Sequence, residues 1–147
     1  AIIEQCNLDL VQICGDESEE EMSELGKLAF KAVRPKSLED GDELMRRFSR
    51  QNAPALLVDA YKKGTYGGTG ETGDWTIASH LARQAPILLA GGLNPENVAE
   101  AVAAVNPWGV DVASGVESSP GVKDASKIFA FIKAAKSGSE KEVTDVK

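Results

Sequence analysis

Residues 86–95 read Pro-Ile-Leu-Leu-Ala-Gly-Gly-Leu-Asn-Pro. A short apolar run closed at both ends by turn residues is the pattern of a strand buried on both faces, as in a parallel sheet. Gly91 and Gly92 let the backbone turn sharply and let an anion come close to its N–H groups. Asn94 suits an N-cap and Pro95 the first helical position, so a helix is predicted over 94–105. The amino end of that helix carries unpaired N–H groups and the positive end of the helix dipole, which favours a phosphate.

The same strand–loop–helix unit recurs on either side. Strands are predicted over 8–13, 30–33, 55–58, 86–90 and 109–113, each an apolar run ended by turn chemistry. Helices alternate with them. Ser18 with Glu21 forms a capping box, and Met22, Leu25 and Leu28 follow at helical spacing. A second helix covers 40–50, with Leu44, Met45 and Phe48 inward. Asp74 caps a third, which turns Trp75, Ala78, Leu81 and Ala82 to the sheet. Asp124 caps the last, with Ile128, Phe131 and Ile132 inward. Between them the loop at 61–73 carries five glycines, and such a loop wraps a ligand or moves. Residues 137–147 are polar and aperiodic and read as a loose tail, leaving 1–136 as one domain. Strands alternating with helices imply βαβ units, a parallel sheet and right-handed crossovers.

Two architectures fit: a five-stranded doubly wound sheet, or part of an eight-stranded barrel, whose whole normally needs at least about 200 residues, against 147 here. Residues suited to function follow the carboxyl ends of all five predicted strands: Cys14, Arg34, Asp59, Gly91-Gly92 and Ser114-Gly115. A doubly wound sheet concentrates its site at one switch point. A barrel draws on every loop of that face, and the loops after its last two strands are its usual phosphate site.

The net charge of -7 argues against nucleic acid or an anionic membrane as partner. An anionic ligand would be held by local N–H groups. No stretch reads as a membrane span. Cys6 and Cys14 have no partners for a zinc site, and His80 is the single histidine; a reduced, cytoplasmic setting fits better than a disulfide framework. Residues 1–5 look like the end of a helix already under way, and no Met precedes them. An upstream segment is therefore expected, and without it the chain would be marginal or self-associate through open sheet edges.

Several motifs then come together: Leu-Asp-Leu-Val-Gln-Ile-Cys-Gly-Asp-Glu from Leu8, Leu-Val-Asp-Ala-Tyr around Asp59, Tyr-Gly-Gly-Thr-Gly from Tyr66, Asp-Trp at 74–75, Leu-Ala-Gly-Gly-Leu-Asn-Pro-Glu-Asn-Val from Leu89, and Gly-Val-Asp-Val-Ala-Ser-Gly-Val-Glu-Ser-Ser-Pro-Gly-Val-Lys-Asp from Gly109. Over residues 8–135 the sequence resembles the phosphoribosylanthranilate isomerase family. The resemblance implies a (β/α)8 barrel, here about five βα units, strands four to eight. It implies an Amadori rearrangement of N-(5'-phosphoribosyl)anthranilate to 1-(2-carboxyphenylamino)-1-deoxyribulose 5-phosphate in tryptophan biosynthesis, on a small phosphosugar and without metal or organic cofactor. The family's general-base cysteine, at the end of strand one, and the arginine after strand two that holds the anthranilate carboxylate have no counterpart in this sequence. Another phosphosugar-binding barrel enzyme and a non-catalytic phosphate-binding fragment are the alternatives.

On that resemblance Asp59 matches the general acid. It ends an apolar strand, where partial withdrawal from water favours the protonated carboxyl that an acid must present; the plainer reading is a loop carboxylate that accepts from backbone N–H groups. Gly91, Gly92, Ser114 and Gly115 match the phosphate cradle, and plain turn chemistry is the alternative. Asp111, within the last predicted strand, would bind substrate hydroxyls or satisfy neighbouring backbone. Cys14 stands where the family usually has histidine after strand four, and reads as a small neutral residue of the pocket wall. Gly68, in the loop after strand six, would border the same pocket, in a segment that folds over substrate or merely connects. Cys6, Trp75 and Trp108 read as packing residues, and His80 as a surface or helix–helix residue.

Overall fold

The structure is a computed structural model and describes residues 2–60 and 75–139. The glycine-rich loop, Gly68, the Asp74 cap and residues 140–147 lie outside the described residues. Five strands form one sheet: β1 (Val11–Ile13), β2 (Ala29–Val33), β3 (Leu57–Asp59), β4 (Leu88–Ala90) and β5 (Gly109–Val110). They pair in the order β1-β2-β3-β4-β5, and every pair is parallel. A doubly wound sheet reverses direction at a switch point. This order never reverses, so the barrel-like reading prevails, and because every pair is parallel the carboxyl ends of all five strands share one rim.

The helices are α1 (Ile2–Cys6), α2 (Glu19–Leu25), α3 (Leu38–Phe48), α4 (Thr76–Ala82), α5 (Val98–Val105) and α6 (Ala125–Ser139). The core lies between them and one face of the sheet. Val33, Leu56, Val58 and Leu89 pack there with Met45 of α3, Leu81 of α4 and Val98 of α5. The opposite face of the sheet carries a second, smaller cluster of Phe30, Leu57 and Ala90. The two-residue period of a strand separates the sets. Trp75, Ala78 and Leu81 are buried as expected.

The Ser18–Glu21 capping box is present in full. Other expectations shift. α3 opens at Ser37, whose hydroxyl accepts from the Asp40 amide, so the helix starts two residues ahead of the predicted one. β1 pairs only from Val11, and β5 ends at Val110. Leu25, at the end of α2, and Leu28, in the 3-10 turn Gly26–Leu28 that follows it, are each 43% exposed. Ile128 and Ile132 of α6 and Trp108 are likewise exposed, as is Cys6. Only Phe131 of the three apolar residues expected inward on α6 is buried. α6 runs three residues into the stretch read as tail. After β5 a short 3-10 turn, Ser114–Val116, leads into an antiparallel hairpin of β6 (Glu117–Ser119) and β7 (Val122–Lys123).

Candidate functional site

Register decides which strand-end residues share a face. Gln12 lies opposite Phe30, Ala32 opposite Leu57, and Asp59 opposite Ala90. Phe30, Leu57 and Ala90 belong to the face opposite the helix-packed core, and alternation brings Cys14, Arg34, Asp59 and Asp111 to it as well. A cavity of about 580 Å³ opens there, at the carboxyl ends of the strands. Its walls include Cys14, Arg34, Asp59, Gly91, Gly92, Asp111, Ser114 and Gly115. The described candidates from the sequence thus line one space. Among the described residues that line it, Arg34 has the one cationic side chain.

Gly91 and Gly92 have φ of 101° and 68°, a conformation that side chains disfavour. A Cβ on Gly115 would sit 1.9 Å from the Leu93 carbonyl oxygen. The loops after β4 and β5 are therefore in backbone contact, and glycine is the residue that allows it. The amino end of α5 departs from the expected anion site. Asn94 Oδ1 accepts from the amides of Glu96 (2.9 Å) and Asn97 (3.0 Å), while Asn97 Oδ1 accepts from the Asn94 amide at 2.9 Å. Those donors are taken by the cap, and α5 itself begins at Val98. The amides of Gly91, Gly92, Ser114 and Gly115 donate to no backbone acceptor among the described residues.

Asp59 is not in the apolar setting that its strand suggested. Arg34, at the end of the neighbouring strand, donates to Asp59 Oδ2 through Nε at 3.1 Å and through Nη2 in a tight ion pair. The side chain of Asp59 is 23% exposed and that of Arg34 is 68% exposed. Asp111 lies one residue beyond β5 and is exposed, so no apolar core surrounds its carboxylate. Its amide donates to the Leu89 carbonyl at 2.8 Å. Cys14 is exposed, and its sulfur accepts from Gln12 Nε2 at 3.0 Å. His80 lies on α4, with Nε2 2.7 Å from Asp42 Oδ1, outside the cavity lining.

Sequence reasoning missed two lysine–glutamate pairs behind the rim. Lys31, within β2, is buried. Its Nζ donates to the Gly15 carbonyl at 2.7 Å and to Glu17 in a tight ion pair. The Lys123 Nζ donates to the Ala113 carbonyl at 2.7 Å and to Glu117 Oε1 at 2.8 Å. Hydrogen bonds from these lysines hold both glutamates below the usual carboxylate range, and the Gly121 amide adds to the effect at Glu117. A repeated Gly-x-Glu at 15–17 and 115–117 was the available signal.

Among the described residues, no group of histidine, cysteine, aspartate or glutamate could hold a metal ion, and no helix is long and apolar enough to cross a membrane. A family model described as N-(5'phosphoribosyl)anthranilate (PRA) isomerase matches residues 1–134. The chain belongs to the N-(5'-phosphoribosyl)anthranilate isomerase family. It is 46% identical over 136 residues to the isomerase of Geotalea uraniireducens, covering 92% of this chain and 65% of that protein. It is 49% identical over 137 residues to that of a Roseiflexus strain, covering 92% and 62%. The chain thus spans just under two thirds of the length of these curated isomerases. The crystal structure of the Thermotoga maritima phosphoribosylanthranilate isomerase superposes with a TM-score of 0.74 at 37% identity, over 92% of this chain and 65% of that one. Another isomerase structure, in complex with reduced 1-(o-carboxyphenylamino)-1-deoxyribulose 5-phosphate, gives 0.72 at 34% identity, over 92% and 63%.

Proposed function

We propose that this chain carries the acid and the phosphate-binding loops of an N-(5'-phosphoribosyl)anthranilate isomerase. The observation that carries the reading is that Asp59 and both glycine-bearing loops line one cavity. Asp59 protonates the furanose ring oxygen, and the ring opens to an iminium. A base then removes the C2' proton, and the resulting enolamine rearranges to the ketose, 1-(2-carboxyphenylamino)-1-deoxyribulose 5-phosphate. The amides of Gly91, Gly92, Ser114 and Gly115, which donate to no backbone acceptor among the described residues, hold the phosphate through backbone dipoles. Such a cradle suits a chain of net charge -7. Asp111 accepts from substrate hydroxyls at the exposed end of β5. Cys14 is a neutral part of the wall, and Gly68 borders it by resemblance alone.

We also propose that β1–β5 are strands four to eight of an eight-stranded barrel. The sequential parallel order, the exposed apolar residues at both margins and the share of the isomerases' length all support it. On this reading the general base comes from polypeptide that closes the barrel between β5 and β1. Two free cysteines fit a reduced, cytoplasmic setting.

The test joins the chain to strands one to three of a relative and follows loss of phosphoribosylanthranilate fluorescence. Turnover is expected, with Asp59→Asn lowering kcat by about 10²–10⁴-fold. Near-normal turnover by Asp59→Asn would remove the acid assignment. No turnover by a folded fusion that binds inorganic phosphate would favour a phosphate-binding module instead.

A further inference from the structure

The two strands at the margins of the sheet end in loops fastened in the same way. After β1, the sequence runs Gly15-Asp16-Glu17; after β5, it runs Gly115-Val116-Glu117. In each case a lysine amine bridges a loop carbonyl and the carboxylate of that glutamate. Lys31 reaches Gly15 and Glu17 from the neighbouring strand β2. Lys123 reaches Ala113 and Glu117 from β7. We propose that Lys31 and Lys123 are positioning residues of the pocket, each setting the shape and the donor strength of one margin loop through its backbone.

The chemistry follows from the peptide unit. The carbonyl of Ala113 and the amide N–H of Ser114 belong to one peptide group. An ammonium 2.7 Å from that carbonyl draws electron density toward the oxygen and strengthens the N–H as a donor. Lys123 thereby brings positive charge to bear on an anion at Ser114 without lining the cavity. The carbonyl, fixed to an ammonium, also cannot rotate inward and repel that anion. The Gly15 carbonyl and the Asp16 amide stand in the same relation to Lys31.

Burial shows that the first clip is more than a surface ion pair. The Lys31 side chain is 6% exposed, and a buried ammonium must be fully partnered. Its partners are the loop carbonyl, Glu17 and the Phe48 ring, whose centroid lies 5.6 Å from Nζ. Glu17 in turn folds over Gly15, where a Cβ would meet Oε1 at 2.5 Å. At the second clip the Gly121 amide donates to Glu117 Oε2 at 3.2 Å, and Lys127 Nζ donates to the Glu117 carbonyl at 2.6 Å. The proposal rests on the phosphate-loop reading given above for Ser114 and Gly115.

The test compares wild type, Lys123→Met, Lys123→Arg and Lys31→Met in the complete enzyme. It reads inorganic phosphate affinity, KM and kcat separately, and amide exchange of residues 15–17 and 114–116. Lys123→Met is expected to weaken phosphate binding and raise KM by about tenfold with kcat changed far less, and Lys123→Arg to restore most of it. Both methionine variants are expected to speed exchange in their own loop and not in the other. Unchanged phosphate affinity and unchanged exchange in Lys123→Met would overturn the proposal. If wild type binds no phosphate, the functional reading fails, while loop exchange still decides the clips: acceleration confined to the clipped loop supports them, and its absence rejects them.

Discussion

Leu56 and Leu89, in the middle of the sheet, are 0% exposed, whereas Leu25 and Leu28 beside its first strand are 43% exposed. The residue type is the same, and so is its place at an apolar position in a βα unit. What differs is the company. The middle strands have a strand on each side and a helix layer on one face. β1 and β5 each have one strand neighbour. Their helices α2 and α6 each meet a described helix on one side only, and Phe129, Ile132, Leu25 and Leu28 stand exposed there. Burial is therefore a property of the repeat in its array and not of the single unit. Exposed apolar groups at both margins of one sheet form a surface that water disfavours.

The sharpest way to break this contrast is truncation in the middle. Leu89→Ala removes three side-chain carbons from a site with no exposure, at an expected cost of about 2–5 kcal/mol, with a cavity left behind. Leu25→Ala and Leu28→Ala are expected to cost under about 1 kcal/mol each, because 43% of each residue already faces water and less apolar area is lost. Urea unfolding of the three variants measures this. Equal losses at Leu89 and Leu25 would show that the α2 margin is covered in solution.

A smaller effect sharpens the same contrast. Replacing Phe129 or Leu28 with Ser leaves the core intact and removes apolar surface from a margin. Melting temperature is expected to change by no more than a few degrees. Self-association, read by sedimentation, is expected to fall in either variant. If association persists unchanged, the margins are not the surfaces that drive it.

The middle of the fold was legible for a physical reason. Ile87, Leu89 and Val58 sit in runs that are apolar on both faces, and such runs permit few alternatives. Alternation then brought Asp59 and Arg34 to one face, although the contact between them was not foreseen: it joins residues 25 apart, and each looked complete alone as a strand terminator. The ends of elements were less legible. Asn94 was expected to cap the helix, but the N-cap is Asn97; the Asn94 side chain closes the turn before it and takes donors that were expected to be open to a phosphate. The margins misled most. Ile128 and Ile132 carry the periodicity of core residues, and periodicity reports what a residue is suited to meet, not whether a neighbour is there. Lys31 was hidden for the opposite reason. A lysine in a strand counts against burial until its partners, Gly15 and Glu17, arrive from another loop.

The finest test concerns acid. Glu17 and Glu117 both sit below the ordinary glutamate value of 4.5, chiefly through hydrogen bonds from Lys31 and Lys123. A carboxylate with a lower pKa folded than unfolded adds stability that is present in full above about 4.5, and that stability is lost as pH falls through the folded value. Near that range the unfolded chain binds more protons, so stability rises with pH. Glu17→Gln and Glu117→Gln remove the titrating group, so each should differ from wild type most at neutral pH, and the difference should shrink as pH falls below about 4.5. The two clips also differ from each other. Lys31 has a side chain 6% exposed and Lys123 one 47% exposed, so salt screens the second pair more. In high salt the Glu117→Gln difference should shrink toward nothing, while the Glu17→Gln difference persists because its lysine stays out of water. A Glu17→Gln penalty that is flat from pH 3 to pH 7, or that salt abolishes, would mean that the buried amine draws its stability from the Gly15 carbonyl alone.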